Sequence, residues 1–269
     1  MTEHHVADRM RGTADDARHD AAMVAGRARV SVLDPPEGHA KDVREIIGAV
    51  WGPQQEPQDN LVRALRHAGT GLLVAMRDER CVGVCMGFLG WTDGLHLHSH
   101  MTAVHPGLEA KGVGFALKLW QRSRCLDHGV REIRWTFDPL IARNAYFNLV
   151  KLGASVRRFL PDHYGEMNDT VNAGDRSDRF EVSWELDSAR VAQALTGALP
   201  ESSHGTLVEV PADYDRMRRE DPGAAAEVRQ RTRAAFADLC GQGLVPTWTT
   251  GGYLFAAPVE TTTEEAKRA

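Results

Sequence analysis

The six residues Glu109-Ala-Lys-Gly-Val-Gly114 stand between an extended run, Leu95 to Val104, and an amphipathic helical run, Phe115 to His128. A strand, a glycine turn and a helix start in direct succession leave the chain few options there. The first turn of a helix carries backbone N–H groups without internal partners, and glycine lets an anion approach them closely. Gly112, Val113, Gly114 and Phe115 would supply those groups and Lys111 a cation, which suits a pyrophosphate. The same glycines also serve simply to relieve a tight turn.

The pattern gains weight from the segment after it. Arg131 to Asp138 reads as a strand with apolar residues at alternate positions, then comes a helical run from Ile141 to Leu152, closed by Gly153. Two consecutive strand-helix units result. Val104-His-Pro-Gly-Leu-Glu-Ala-Lys-Gly-Val-Gly-Phe-Ala-Leu117 resembles motif A of the GNAT acyltransferase superfamily, and Asn144-Ala-Tyr-Phe-Asn-Leu-Val-Lys-Leu-Gly153 resembles its motif B. Asp162-His-Tyr-Gly-Glu-Met-Asn-Asp169 and Ser177-Asp-Arg-Phe-Glu-Val-Ser-Trp184 look like a bacterial branch of that superfamily with an added C-terminal segment.

The resemblance implies a GNAT-like α/β fold: a mixed, mostly antiparallel sheet with splayed central parallel strands and flanking helices, plus a small C-terminal α/β extension. It divides the chain into a flexible arm at 1–28, an acyltransferase core at 29–187 and an extension at 188–269 that docks on the core. The arm is expected from low apolar content without a sustained period. Strands are expected at Arg29–Asp34, Gly71–Arg77 and Arg80–Trp91, and helices around His39–Trp51 and Asp59–Ala68. Apolar residues on both strand faces indicate helices on each side. In the extension, helical runs at Asp187–Leu199 and Ala224–Cys240 alternate with a strand at Thr206–Val210 and a hairpin over Leu244–Ala257. The last residues, Thr261 to Ala269, have the composition of a solvated tail.

Composition restricts the partners. A net charge of -5 provides no electrostatic footprint for nucleic acid or an anionic membrane, and no apolar run reaches the span of a bilayer. Met1 to Arg29 lacks the apolar centre of a signal peptide, so a cytoplasmic location is expected. Four cysteines without paired spacing fit a reducing compartment, and Cys81 and Cys85 are expected on one face of one strand. The extension leaves room for a homodimer.

Under the resemblance, the co-substrate is acetyl-CoA or another acyl-CoA, with no metal. The pantetheine would lie along Ala103 and Val104, where a strand N–H polarises the thioester carbonyl. Asn144 matches the motif B asparagine near the coenzyme, or else it satisfies local backbone at the helix start. Glu109 stands where the family has Arg or Gln, and Ala110 where it often has Gly. His96, His98 and His100 alternate on the motif A strand and are expected on one face. His98 falls where some members place a glutamate base, with His100 second; histidine suits proton abstraction near neutral pH. A ladder of structural histidines is the alternative, and a metal site on the three imidazoles is a further one. Family members often protonate the leaving thiolate with a tyrosine four residues before the motif B glycine, where this chain has Leu149. Tyr146, one turn earlier, and Tyr164 are the substitutes. Arg157, Arg158, Arg176 and Arg179 offer forked donors for carboxylates, and with Tyr164 define the expected substrate segment. The function so implied is acetyl or succinyl transfer to a small-molecule amine such as an amino acid, by direct attack. An inactive acyl-CoA-binding regulator is the alternative, and a metal-dependent enzyme built on the histidine strand ranks below both.

Overall fold

The computed structural model of the protein describes residues 3–69, 71–107, 111–167, 169–171, 174–198 and 204–258. Glu109 and Ala110 of the glycine turn and the tail from Thr261 to Ala269 lie outside the described residues. By their contacts the described residues fall into two units, Thr2–Trp135 with Asn168–Ala173, and Thr136–Met167 with Gly174–Ala269. The division falls inside a strand rather than near residue 188.

Alanines 14, 17, 21, 25 and 28 recur at helical spacing, and all are buried along one helix, α1 (Glu3–Ala28). The expected flexible arm is therefore a packed element. Its apolar stripe is made of alanine, which adds little to apolar content yet lets a neighbour approach closely. That neighbour is α4 (Val113–Asp127), which runs antiparallel to α1, with Arg18 reaching Asp127 at 2.6 Å and Arg122 reaching Asp20 at 3.5 Å.

Between α1 and α4 the chain forms β1 (Ser31–Leu33), α2 (Ala40–Trp51), α3 (Asp59–Ala68), β2 (Leu73–Arg77), β3 (Arg80–Gly90) and β4 (His96–Val104), and β5 (Glu132–Phe137) follows α4. In this unit the strands run in the order β1-β2-β3-β4-β5. All neighbours are antiparallel except β4 and β5, which are parallel. The β2–β3 turn needs left-handed backbone at both Asp78 (φ 47) and Glu79 (φ 63), the geometry of a two-residue hairpin.

Alternation on β2 sends Leu73 and Ala75 toward α1 and α4, while Leu72 and Val74 pack with Val43, Ile46 and Ile47 of α2 and Val62 of α3. Helices thus cover both faces, as the apolar runs require. Each fully buried Ile or Val here stabilises the fold by roughly 1.5–3 kcal/mol. Two bulges interrupt the alternation. On β3, Cys81 pairs with Met76 but Gly83 with Ala75, which leaves Val82 as the extra residue. Cys81 consequently packs on the α2 side and Cys85 on the α4 side, contrary to the single face expected for them.

In the second unit, α5 (Ala142–Ala145) widens into a π turn over Tyr146–Lys151, where Leu152 N donates to Phe147 O at 3.0 Å. It is followed by β6 (Ser155–Leu160), β7 (Arg179–Glu185), α6 (Ala189–Leu195), β8 (Thr206–Glu209), α7 (Tyr214–Glu220), α8 (Pro222–Gly241), β9 (Val245–Thr249) and β10 (Gly252–Ala256). β6 and β7 pair antiparallel, and β8-β10-β9 form a second sheet. Phe159 and Phe180 of that hairpin lie against Phe236 of α8 at ring distances of 5.7 and 5.0 Å, and Phe180 lies 5.2 Å from Tyr253 of β10. This shared aromatic core ties the hairpin to the C-terminal elements. Beside it, buried Arg229 donates to Asp138 at 2.9 and 2.6 Å and to Asp175 at 3.1 and 2.7 Å. No helix of the described residues is long and apolar enough to cross a membrane.

Candidate active site

The parallel ladder between β4 and β5 comprises two residue pairs, Leu97 with Ile133 and His98 with Arg134. β4 continues to Val104 paired only with β3 on its other side, so the two strands part beyond His98. The base of this fork is rigid. Buried Arg134 makes two 2.6 Å bonds to Glu132 and donates to Thr92 O at 2.7 Å and Asp93 O at 2.9 Å, which binds β5 to the β3–β4 turn. Ala103 is buried against the α2 side near the end of β4, and the fork leaves its backbone without a β5 neighbour.

Past the end of β4 the chain turns at Gly112, whose φ of 86° is left-handed, and α4 begins at Val113. Among the described residues no side chain caps this helix start, and its first turn carries no acidic residue. The turn also sits low on the sheet. A Cβ on Gly83 would meet Val113 Cγ1 at 2.9 Å, and one on Gly112 would meet Ala28 Cβ at 3.4 Å. Lys111 is exposed at the mouth. These features fit a phosphate: a positive helix end, an exposed lysine and a glycine backbone free of a blocking side chain.

Of the three histidines, only two share an environment. His100 is the extra residue of a second bulge, since Met101 pairs with Met86 and Ser99 with Gly87. It projects beside His98, with ring centroids 6.2 Å apart, and both rings flank Phe88, at 5.1 Å from His98 and 5.9 Å from His100. His96 is buried over Gly90, with Nδ1 2.9 Å from Gly94 O. Among the described residues no three His, Cys, Asp or Glu side chains are grouped to hold a metal ion. His100 is open at its edge, yet the protein atoms crowding the ring lower its pKa.

Sequence reasoning missed a buried cation under the strand. Lys118 of α4 is buried, donates to Ser99 Oγ at 2.7 Å and sits 3.9 Å above the Trp135 ring. Burial pulls its pKa down to about 8. The signal was present as a lysine within the apolar run Phe115-Ala-Leu-Lys-Leu-Trp120. Phe88, stacked against His98, carried no signal of its own.

In the second unit, Asn144 lies in α5, where its backbone N donates to Ile141 O at 2.8 Å. Tyr146 opens the π turn and is 50% exposed, whereas Leu149, at the expected tyrosine position, is 2% exposed. Tyr164 is exposed, with its hydroxyl 2.8 Å from Thr136 Oγ1. The arginines expected to offer forks to a ligand are engaged by this chain's own groups. Arg157 and Arg158 both reach Glu181, at 3.5 and 2.5 Å. Arg176 holds Asp162 through two bonds of 3.1 and 2.6 Å, while buried Arg179 donates to Asp178 O at 2.8 Å. Density in arginine was legible in the sequence; its pairing with internal acceptors was not.

Residues 34–148 match the model of the Acetyltransferase (GNAT) family, and this segment has that family's fold. Similar solved structures include Naa50 of Arabidopsis thaliana in complex with the bisubstrate analogue CoA-Ac-MVNAL, at 16% identity and a TM-score of 0.47, covering 58% of this chain and 97% of that one. Diaminobutyrate acetyltransferase EctA of Paenibacillus lautus, with L-2,4-diaminobutyric acid and coenzyme A, shares 15% identity at a TM-score of 0.47 over 59% of this chain and 96% of its own. Ard1 of Thermoplasma volcanium shares 18% identity at a TM-score of 0.45 over 58% and 96%. No curated protein matches the chain.

Proposed function

We propose that the protein transfers an acetyl or succinyl group from its coenzyme A thioester to the amine of a small molecule, such as an amino acid, by direct attack. The observation that carries this reading is the parting of β4 from β5 after two residue pairs, on the strand that leads into the Gly112 turn. The turn would hold the pyrophosphate through the N–H groups of Val113, Gly114 and Phe115, with Lys111 adding charge. Asn144 would contact the coenzyme from α5. Backbone left unpaired on β4 near Ala103 and Val104 would face the thioester and polarise its carbonyl as negative charge develops on oxygen. The amine must lose a proton as it attacks. The open edge and lowered pKa of His100 support it as the acceptor, with His98 next to it, since a neutral imidazole is the competent form. Tyr146 is the proposed proton donor to the leaving thiolate. Tyr164, Arg176, Arg157 and Arg179 remain the proposed acceptor segment, with their forks acting through the carboxylates they position.

A second reading, an acyl-CoA binder without turnover, is favoured by buried Leu149 at the expected tyrosine position. Calorimetric titration of acetyl-CoA and succinyl-CoA into wild type and Gly112→Trp tests the coenzyme site, and release of free thiol with a panel of amines tests turnover. Binding abolished by the substitution together with thiol release supports the transferase. Binding without thiol release supports the second reading, and absence of binding in folded protein removes both.

A further inference from the structure

The far end of α4 covers a separate cavity. Gln121 lies about 12 Å along the helix from Val113, by the rise of an α-helix. Its side chain lines a space of about 180 Å³ walled by Leu73, Leu89, Leu95 and Leu97 of the sheet side and by Cys125 of α4. The chain is drawn in tightly there. Gly71, at φ +53°, approaches so closely that a Cβ would lie 3.0 Å from Gly87 O and 3.2 Å from Leu97 Cδ1.

The lining also carries His128 and the ion pair of Arg124 with Asp34, 2.5 Å apart, and beside them one buried polar atom has no counterpart. Gln121 is 1% exposed, its Oε1 lies 3.4 Å from Lys118 Nζ, and its Nε2 has no hydrogen-bond partner among the described residues. The amide cannot turn over without facing its NH2 toward the ammonium, so Lys118 fixes the orientation and leaves a donor unspent. A buried donor without an acceptor is a strong drive for ligand uptake. The space is of the size that takes up a single six-membered ring, since an apolar cavity of about 150 Å³ binds benzene.

We propose that this cavity is a binding site, distinct from the coenzyme turn, for a small apolar molecule bearing one hydrogen-bond acceptor, of the cyclic ketone or short alkyl carbonyl class. Its carbonyl oxygen accepts from Gln121 Nε2 and its hydrocarbon body contacts the leucines. The hydrogen-bonded series Gln121, Lys118, Ser99 then connects the occupant to β4 between His98 and His100.

Cyclohexanone and benzene serve as a matched pair of probes, with and without the acceptor. Their binding is followed by NMR of side-chain amides and methyl groups in wild type, Gln121→Leu and Leu89→Trp. The expected result is saturable cyclohexanone binding about tenfold tighter than benzene in wild type, a ratio near one in Gln121→Leu, and loss of both ligands in Leu89→Trp, whose ring fills the mouth. Should Gln121→Leu not fold, a cyclohexanone-specific shift of the Gln121 Nε2 protons in wild type, erased by Leu89→Trp, carries the same information. No saturable shift with either probe in folded wild type, or the same ratio with and without the Gln121 donor, overturns the proposal.

Discussion

Gly83 of β3 lies directly beneath Val113, the first residue of α4. A Cβ there would fall 2.9 Å from Val113 Cγ1, 3.2 Å from Leu117 Cδ1 and 3.2 Å from the Ala103 carbonyl. β3, β4 and the start of α4 therefore converge on one missing side chain.

Gly83→Val should lift the helix start from the sheet. Overpacking of this kind costs about 1–3 kcal/mol, and acetyl-CoA affinity should fall at least about tenfold because the turn moves with the helix. Urea unfolding and calorimetric titration read the two effects. Gly26→Ala is the control: it meets nothing within 4 Å inside α1 and should stabilise by about 0.5–1 kcal/mol with coenzyme affinity unchanged.

His100→Gln should lower kcat about 10²–10⁴-fold with little change in acetyl-CoA affinity. Because burial lowers the His100 pKa, the imidazole stays neutral to a lower pH than a free histidine. The acidic limb of the pH–rate profile should accordingly have its midpoint below about 6.5 and vanish in the variant. A limb that persists in His100→Gln and disappears in His98→Gln transfers the role to His98.

Arg229→Met would remove the hydrogen-bonded cation from buried Asp138 and Asp175, leaving only Arg179 3.8 Å from the first and Arg218 3.7 Å from the second, at a cost of about 3–5 kcal/mol in urea unfolding. Arg229→Lys should recover only part, because a point charge cannot serve two carboxylates as the fork does. The Asp175 carboxyl is desolvated, yet hydrogen bonds from Arg229 hold it below its ordinary range. Its contribution is present above the unfolded value of about 3.9 and is lost as pH falls through the depressed folded value.

Lys118 gives a slope of the same sign for a different reason, because here burial disfavours the charged form. Burial lowers its pKa from 10.5 to about 8, so between these values the unfolded chain binds the proton that the folded chain has released. Stability should rise with pH across that window, by about 3 kcal/mol in total. Lys118→Met should abolish the rise and be neutral or stabilising at pH 7, as measured by urea unfolding at stepped pH.

The glycine turn, the strands on either side of it and both covering helix layers were legible, because period and glycine placement act locally. The features that escaped were set by neighbours. The extra residues Val82 and His100 depend on pairing with β2 and β3, and a bulge leaves no mark on its own strand's composition. It parted Cys81 from Cys85 and put His100 in the open, while Gly90 drew His96 inward. The helix at Glu3–Ala28 was hidden for a different reason, since alanine at every third or fourth place scores as neither core nor surface. Composition presents Arg157, Arg176 and Arg179 as ligand donors, and only the folded chain brings Glu181, Asp162 and the Asp178 carbonyl to them.

Ala28, the last residue of α1, stands where a Cβ on Gly112 would touch it. It lies ahead of the family-matched segment and carries no chemistry, yet it sets how deep the turn can sink. Exchange of that methyl for a larger group would reset the Gly112 turn like a shim under a hinge, from a residue that is not part of the turn itself.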